Sequence, residues 1–185
     1  MYISATFCSI IPPYLLRRLA RLESPQFSTA ARAAKQTLGH VRSVHAARTA
    51  LGPAILPGVR DVRPAIPNRS IYDAAGSEEL PGKLVRNEGG PESGDASADE
   101  AYDGLGHTHR LYAEVFGRNS IDGRGLPLDA TVHFGKLYDN AFWDGRQMVF
   151  GDGDGEVFER FTRSLSVIGH ELTHGVTQHT AGMAY

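Results

Sequence analysis

The chain has 185 residues, an apolar fraction of 41% and a net charge of −2, which excludes a disordered or fibrous protein and leaves a soluble globular one. Its single cysteine, Cys8, excludes an internal disulfide and any cysteine-based zinc site. The charge is unevenly divided: residues 1–70 hold ten Lys/Arg against Glu23 and Asp61, and the remainder nine against nineteen Asp/Glu, so the two parts attract.

The first 16 residues are apolar but carry no preceding positive charge and are broken by Pro12-Pro13, so they do not read as a standard signal peptide. No apolar run is long enough to span a membrane, and no membrane partner is expected. Leu15, Leu16, Leu19 and Leu22 recur at helical spacing and predict a short amphipathic helix over residues 13–22. An alanine-rich helix follows over 29–50, with Leu38, Val41 and His45 on one stripe; by composition it reads as a solvated basic helix. Gly52-Pro53, Pro57-Gly58, Pro64 and Pro67 make 51–70 an extended linker open to proteolysis. The Arg-rich stretch 17–69 comes with no recognisable nucleic-acid fold, so nucleic acid is not expected as a partner.

Residues 69–73 read as an edge strand leading to a turn. After the loop 89–94, Ser97 and Glu100 form a capping-box pattern, and Ala98, Ala101, Tyr102, Leu105, Tyr112, Val115 and Phe116 keep a 3.6-residue period until Gly117. His107 and His109 lie two apart on that helix, facing different ways, and are not a metal pair. Residues 131–134 and 147–150 are the best strand candidates, expected in one antiparallel sheet and joined by a connection over 136–145. In Gly151-Asp152-Gly153-Asp154-Gly155-Glu156 the acids alternate as at the start of a calcium loop. The sixth-position glycine is absent and Arg163 stands where the last glutamate is needed, so a glycine-rich turn is expected instead.

The chemistry concentrates in His170-Glu171-Leu172-Thr173-His174. Residues four apart share a helix face, so His170 and His174 can converge on one zinc ion, while Glu171 sits beside a metal-held water as general base.

Together with Asn140-Ala141-Phe142-Trp143-Asp144-Gly145, the run Met148 to Gly155 and Thr180-Ala181-Gly182-Met183-Ala184-Tyr185, this motif makes residues 69–185 resemble the thermolysin family of zinc metalloendopeptidases. Ile10-Ile11-Pro12-Pro13-Tyr14-Leu15-Leu16 resembles the compact propeptide of its protealysin-like members. The resemblance implies an α+β fold: an antiparallel-sheet-rich N-terminal subdomain ending in the zinc helix, preceded by a short helical propeptide. It divides the chain into a basic propeptide and linker, 1–58, and the N-terminal part of the peptidase domain, 59–185.

It implies zinc bound by His170 and His174, with Glu171 as catalytic base. Asn140 (side chain) and Ala141 (carbonyl) would hold a peptide substrate as an added strand, and Tyr185 would stabilise the oxyanion. Cleavage is expected before large hydrophobic residues, with the propeptide as intramolecular inhibitor. Family members are mostly exported, so an extracellular location is implied, with a cytoplasmic one as alternative. No Asp or Glu follows His174, so the third ligand, a glutamate on the next helix in the family, is expected outside these residues, and the 185-residue chain is expected to be inactive. Calcium is the further cation the family suggests; Ser166, where many members carry a calcium-binding aspartate, counts against the usual double site. The alternative reading is a non-catalytic binding protein that keeps half of the peptidase fold.

Overall fold

The structure, a computed structural model, describes residues 10–51 and 66–182, with the side chains of 42–51 left aside. Tyr185, Cys8, the His45 side chain and most of the expected linker lie outside the described residues. The elements run α1 (Pro13–Leu19), a 3-10 turn (Pro25–Phe27), α2 (Ser28–Leu51), β1 (Arg69–Asp73), β2 (Lys83–Asn87), α3 (Ala96–Phe116), β3 (Leu128–Val132), β4 (Ala141–Trp143), β5 (Met148–Phe150), a second 3-10 turn (Phe161–Arg163) and α4 (Leu165–Ala181). The α+β class holds. No helix among the described residues is long and apolar enough to cross a membrane.

The five strands form one sheet in the order β2-β1-β3-β5-β4. It is mixed, which corrects the expected pairing: β3 and β5 are parallel, with Ala130 opposite Met148 and Thr131 opposite Val149. The reason is the intervening strand. Residues 141–143 pair antiparallel with β5 through a tight turn, so the chain has already reversed before β5 returns beside β3. Nor is β1 an edge, since it lies between β2 and β3.

α1 is shorter than its leucine period suggests, ending at Leu19, with Leu16 fully buried. α2 is not the solvated helix its composition suggests: Ala30, Ala33, Ala34, Thr37 and Val41 are buried along one stripe. Small side chains let a helix approach closely, and alanine carries little hydrophobic signal by which to foresee it.

The start of α3 is also corrected. Asp95, not Ser97, is the N-cap, and its carboxylate accepts from the Ala98 N–H at 2.8 Å. Glu100 is drawn away from any capping role by the Arg160 guanidinium, at 2.8 and 2.7 Å, and by the Thr162 hydroxyl at 2.9 Å. Gly117 ends the helix at φ 59°, as expected. Val115 and Phe116, expected in the core, are exposed in the last turn. The other end is pinned to the sheet by Tyr102, whose ring lies between the guanidiniums of Arg69 and Arg86 at 3.6 and 3.7 Å.

His133 bridges the cap of α3 to the glycine-rich turn: its Nδ1 meets the Asp152 carboxylate at 2.9 Å and its Nε2 the Asp95 carboxylate at 3.1 Å. Bonding to Asp152, reinforced by Asp95, raises the imidazole pKa to about 9. A histidine raised in the folded state stabilises it fully below its unfolded value, and that contribution is lost as pH rises through about 9. After screening at these half-exposed acids, we expect about 1–2 kcal/mol. The urea midpoint of the chain should therefore fall between about pH 6.5 and 9.5 by more than that of His133→Gln; equal falls would refute it.

Candidate metal and peptide site

α4 carries the motif on a helix with two unlike faces. Ile168, Leu172 and Gly175 are buried, and Ile168 fits against Gly104 of α3, where a Cβ would lie 2.3 Å from Ile168 Cδ1. Burying Ile168 and Leu172 contributes about 1.5–3 kcal/mol each and fixes the rotation of the helix. Thr173 adds a polar tie. Its hydroxyl donates to the Gly169 carbonyl at 2.7 Å, so Tyr112 of α3 donates to it at 2.8 Å.

That rotation brings Glu171 and His174 inward, 1% and 6% exposed, and leaves His170 at the rim. The two imidazoles converge, with Nε2 atoms 3.0 Å apart and rings near perpendicular at 83°. Two nitrogens on one tetrahedral zinc at ordinary bond lengths would lie roughly 3.3 Å apart, so the donors fit the ion with little adjustment. Among the described residues, His170, Glu171 and His174 are the group of three His, Cys, Asp or Glu whose ligand atoms all lie within 4.8 Å of one another. Desolvation lowers the His170 pKa, which favours the neutral ring that a metal requires. An open groove of about 260 Å³ lined by Gly169, His170, Thr173, His174 and Thr177 gives access.

β4 is the outermost strand of the sheet on the side where α4 packs. Trp143 Nε1 donates to the Gln178 Oε1 of α4 at 2.7 Å, and Gln178 Nε2 reaches the Gly145 carbonyl at 3.3 Å, so β4 and α4 are tied directly. Sequence reading missed Gln178, although it stands seven residues after Glu171 on the same helical stripe. Asn140 precedes β4 and is 1% exposed. Its Oδ1 accepts from the Ile11 N–H at 3.1 Å and from the Ala141 N–H at 3.0 Å, and its Nδ2 reaches the Ile11 carbonyl at 3.4 Å. Ile11 was not foreseen as a partner for Asn140; the two are 129 residues apart and no local pattern links them.

The glycine-rich run 151–156 follows β5 as irregular backbone bending at 155–157. Asp154 Oδ1 accepts from the Glu156 and Val157 amides, both at 2.6 Å, and is thereby committed to the backbone.

A His-Glu-x-x-His helix beside a sheet edge is the arrangement of metallopeptidases that hold zinc through that motif. Residues 62–178 match the family described as thermolysin metallopeptidase, catalytic domain, and the chain belongs to that family. It is 48% identical over 183 residues to an extracellular metalloprotease of Pectobacterium carotovorum subsp. carotovorum, covering 98% of this chain and 50% of that protein. It is 45% identical over 187 residues to protease PrtS of a Photorhabdus species, covering 95% and 47%. A solved structure, the precursor of protealysin from Serratia proteamaculans, superposes with a TM-score of 0.78 at 46% identity, covering 96% of this chain and 49% of that one. The chain thus spans about half the length of these relatives.

Proposed function

We propose that these residues carry the water-activating half of a zinc-dependent endopeptidase site, within a precursor whose residues 1–58 are an inhibitory propeptide and linker and whose residues 59–185 begin the peptidase. The observation that carries this reading is the convergence of His170, Glu171 and His174 on a helix tied to an edge strand. Zinc held there supplies a Lewis acid that polarises the scissile carbonyl and lowers the pKa of water towards about 7.

The chain's own residues do the rest. His170 and His174 hold the ion, and a glutamate from outside these 185 residues completes the set. Glu171 takes a proton from the attacking water and passes it to the departing amine nitrogen. The Asn140 carboxamide and the Ala141 carbonyl hold the substrate backbone as an added strand at β4, and the Tyr185 hydroxyl donates to the oxyanion. A large apolar side chain follows the cut bond. Export fits the extracellular description of the Pectobacterium relative. Calcium is secondary here: Ser166 offers a hydroxyl, 2.9 Å from that of Ser164, and no carboxylate for a double site.

Support for the inhibitory segment comes from Ile11, whose backbone N–H and carbonyl engage both ends of the Asn140 carboxamide, as a substrate strand would. A version extended to include the third ligand should hydrolyse peptides and stop when a chelator is added, whereas the 185-residue chain alone should not hydrolyse them. Deleting residues 1–58 from the extended version should raise its activity about tenfold or more, since two hydrogen bonds of about 1 kcal/mol each are removed from Asn140. Unchanged activity after the deletion would count against inhibition.

A further inference from the structure

Beneath α2 lies a pair of acids that the peptidase chemistry does not use. Asp139 is fully buried and Asp154 nearly so, 0% and 7% exposed. Neither carboxyl oxygen of Asp139, nor the second oxygen of Asp154, makes a hydrogen bond of good geometry among the described residues; the nearest polar group to Asp139 is Asp154 itself. Asp154 Oδ1 is already held by the Glu156 and Val157 amides, which keep that acid ionised, so the buried Asp139 carboxyl beside it meets both desolvation and a like charge; a proton between the two acids relieves both. Burial first, then the Asp154 charge beside it, pushes the Asp139 pKa up to about 8.

The N-terminal segment packs against the residues that carry and flank this pair. Ala30, Ala33, Ala34, Thr37 and Val41 form the buried stripe of α2. Along it, the Ala30 N–H donates to Glu156 at 2.9 Å, the Asp139 N–H donates to the Thr37 hydroxyl at 2.9 Å, and the His40 ring stands edge-on to Tyr138 at 5.9 Å. The helix therefore runs across the 138–139 segment and the turn that Asp154 organises.

We propose that the Asp139–Asp154 carboxyl pair makes docking of the N-terminal segment proton-dependent: α2 is held while the pair shares a proton and is loosened when both acids ionise. This rests on reading residues 1–58 as an inhibitory segment, and it gives that segment a release triggered by rising pH. An acid whose pKa is raised by docking favours the docked state at low pH. The contribution is lost as pH climbs from the ordinary carboxylate range through about 8.

The other charges at this contact act elsewhere. Glu156 is held below its usual range, chiefly by the Ala30 N–H and also by Arg32, so it weakens docking only on strong acidification. His40 pairs with Glu78 at 2.9 Å. His133 bridges Asp95 and Asp152 and titrates higher. Lys35 is exposed on the outer face of α2.

Hydrogen exchange of the α2 amides in the 185-residue chain, corrected for the intrinsic pH dependence of exchange, tests this. The opening constant of α2 should rise about tenfold per pH unit between about pH 5.5 and 7.5, with α4 amides as the internal reference. The slope should vanish in Asp139→Asn and persist in His40→Gln. A wild-type slope below about threefold over that range, or a slope unchanged in Asp139→Asn, overturns the proposal. Should Asp139→Asn fail to fold, carboxyl-carbon NMR on the wild-type chain decides: titration of Asp139 above about pH 7 supports the shared proton, and titration below about pH 5 sinks it. Exchange reads docking without hydrolysis, so an extended version indifferent to losing residues 1–58 would strike the inhibitory reading and leave this one standing.

Discussion

Glu171→Gln, introduced into a version extended to include the third zinc ligand, should lower kcat by about 10²–10⁴-fold with zinc content unchanged. The substitution is nearly isosteric, and the site is tight: Glu171 is 1% exposed, flanked by His170 and His174, the proposed ligands, and followed by Leu172, which packs in the core. What is lost is the ability to accept a proton, since an amide at neutral pH is no base. The measurement is a pair: steady-state peptide hydrolysis and metal content on the same sample. Full zinc with near wild-type turnover would remove Glu171 from the chemistry, and zinc loss would show that the carboxylate supports the metal instead. Because the proposed substrate edge is β4 and not Glu171, KM should move much less than kcat.

The convergence of His170, Glu171 and His174 was legible in the sequence because its geometry is local. His170 and His174 are related by one helical turn, and the apolar spacing of Ile168, Leu172 and Gly175 sets which face turns inward. What depends on long-range pairing was not. β4 is only three residues long and sits within 136–145, which reads as a connection, so the parallel relation of β3 and β5 had no local signature. Ser97 and Glu100 satisfied a capping pattern as well as Asp95 does, and the decision lay with Arg160 and Thr162, 60 and 62 residues away from Glu100. The same holds for α2, where the contacts of Ala30, Thr37 and His40 with Glu156, Asp139 and Tyr138, 126, 102 and 98 residues away, turn a basic alanine-rich helix into a packed one. Tertiary charge pairs and close backbone approaches leave no period to read.

Gly151→Ala should be strongly damaging, costing about 3 kcal/mol and lowering Tm by on the order of 10 °C. A Cβ at Gly151 would stand 2.0 Å from the Tyr138 backbone oxygen and 2.9 Å from its carbonyl carbon. No rotamer change relieves a clash with backbone, so the segment 138–140 must move away from β5. Two ladder-like bonds run through this contact, from the Gly151 N–H to the Asn140 carbonyl at 3.0 Å and from the Gly153 N–H to the Tyr138 carbonyl at 3.2 Å. Gly175 provides the contrast. There the added Cβ would meet only side-chain atoms of Ile121 and Trp143, at 3.1 and 3.2 Å, which can give by a few tenths of an ångström. Gly175→Ala should therefore cost about 1–2 kcal/mol. Thermal melts of the two variants rank them directly, and a Gly175→Ala loss equal to or larger than that of Gly151→Ala would refute the ordering. Asn140 and Asp139 lie in the displaced segment, so Gly151→Ala should also raise the exchange of the α2 amides at pH values where the wild-type helix stays docked. A stability defect at position 151 then reads out as early release of the N-terminal segment, whereas the Gly175 variant leaves that docking intact.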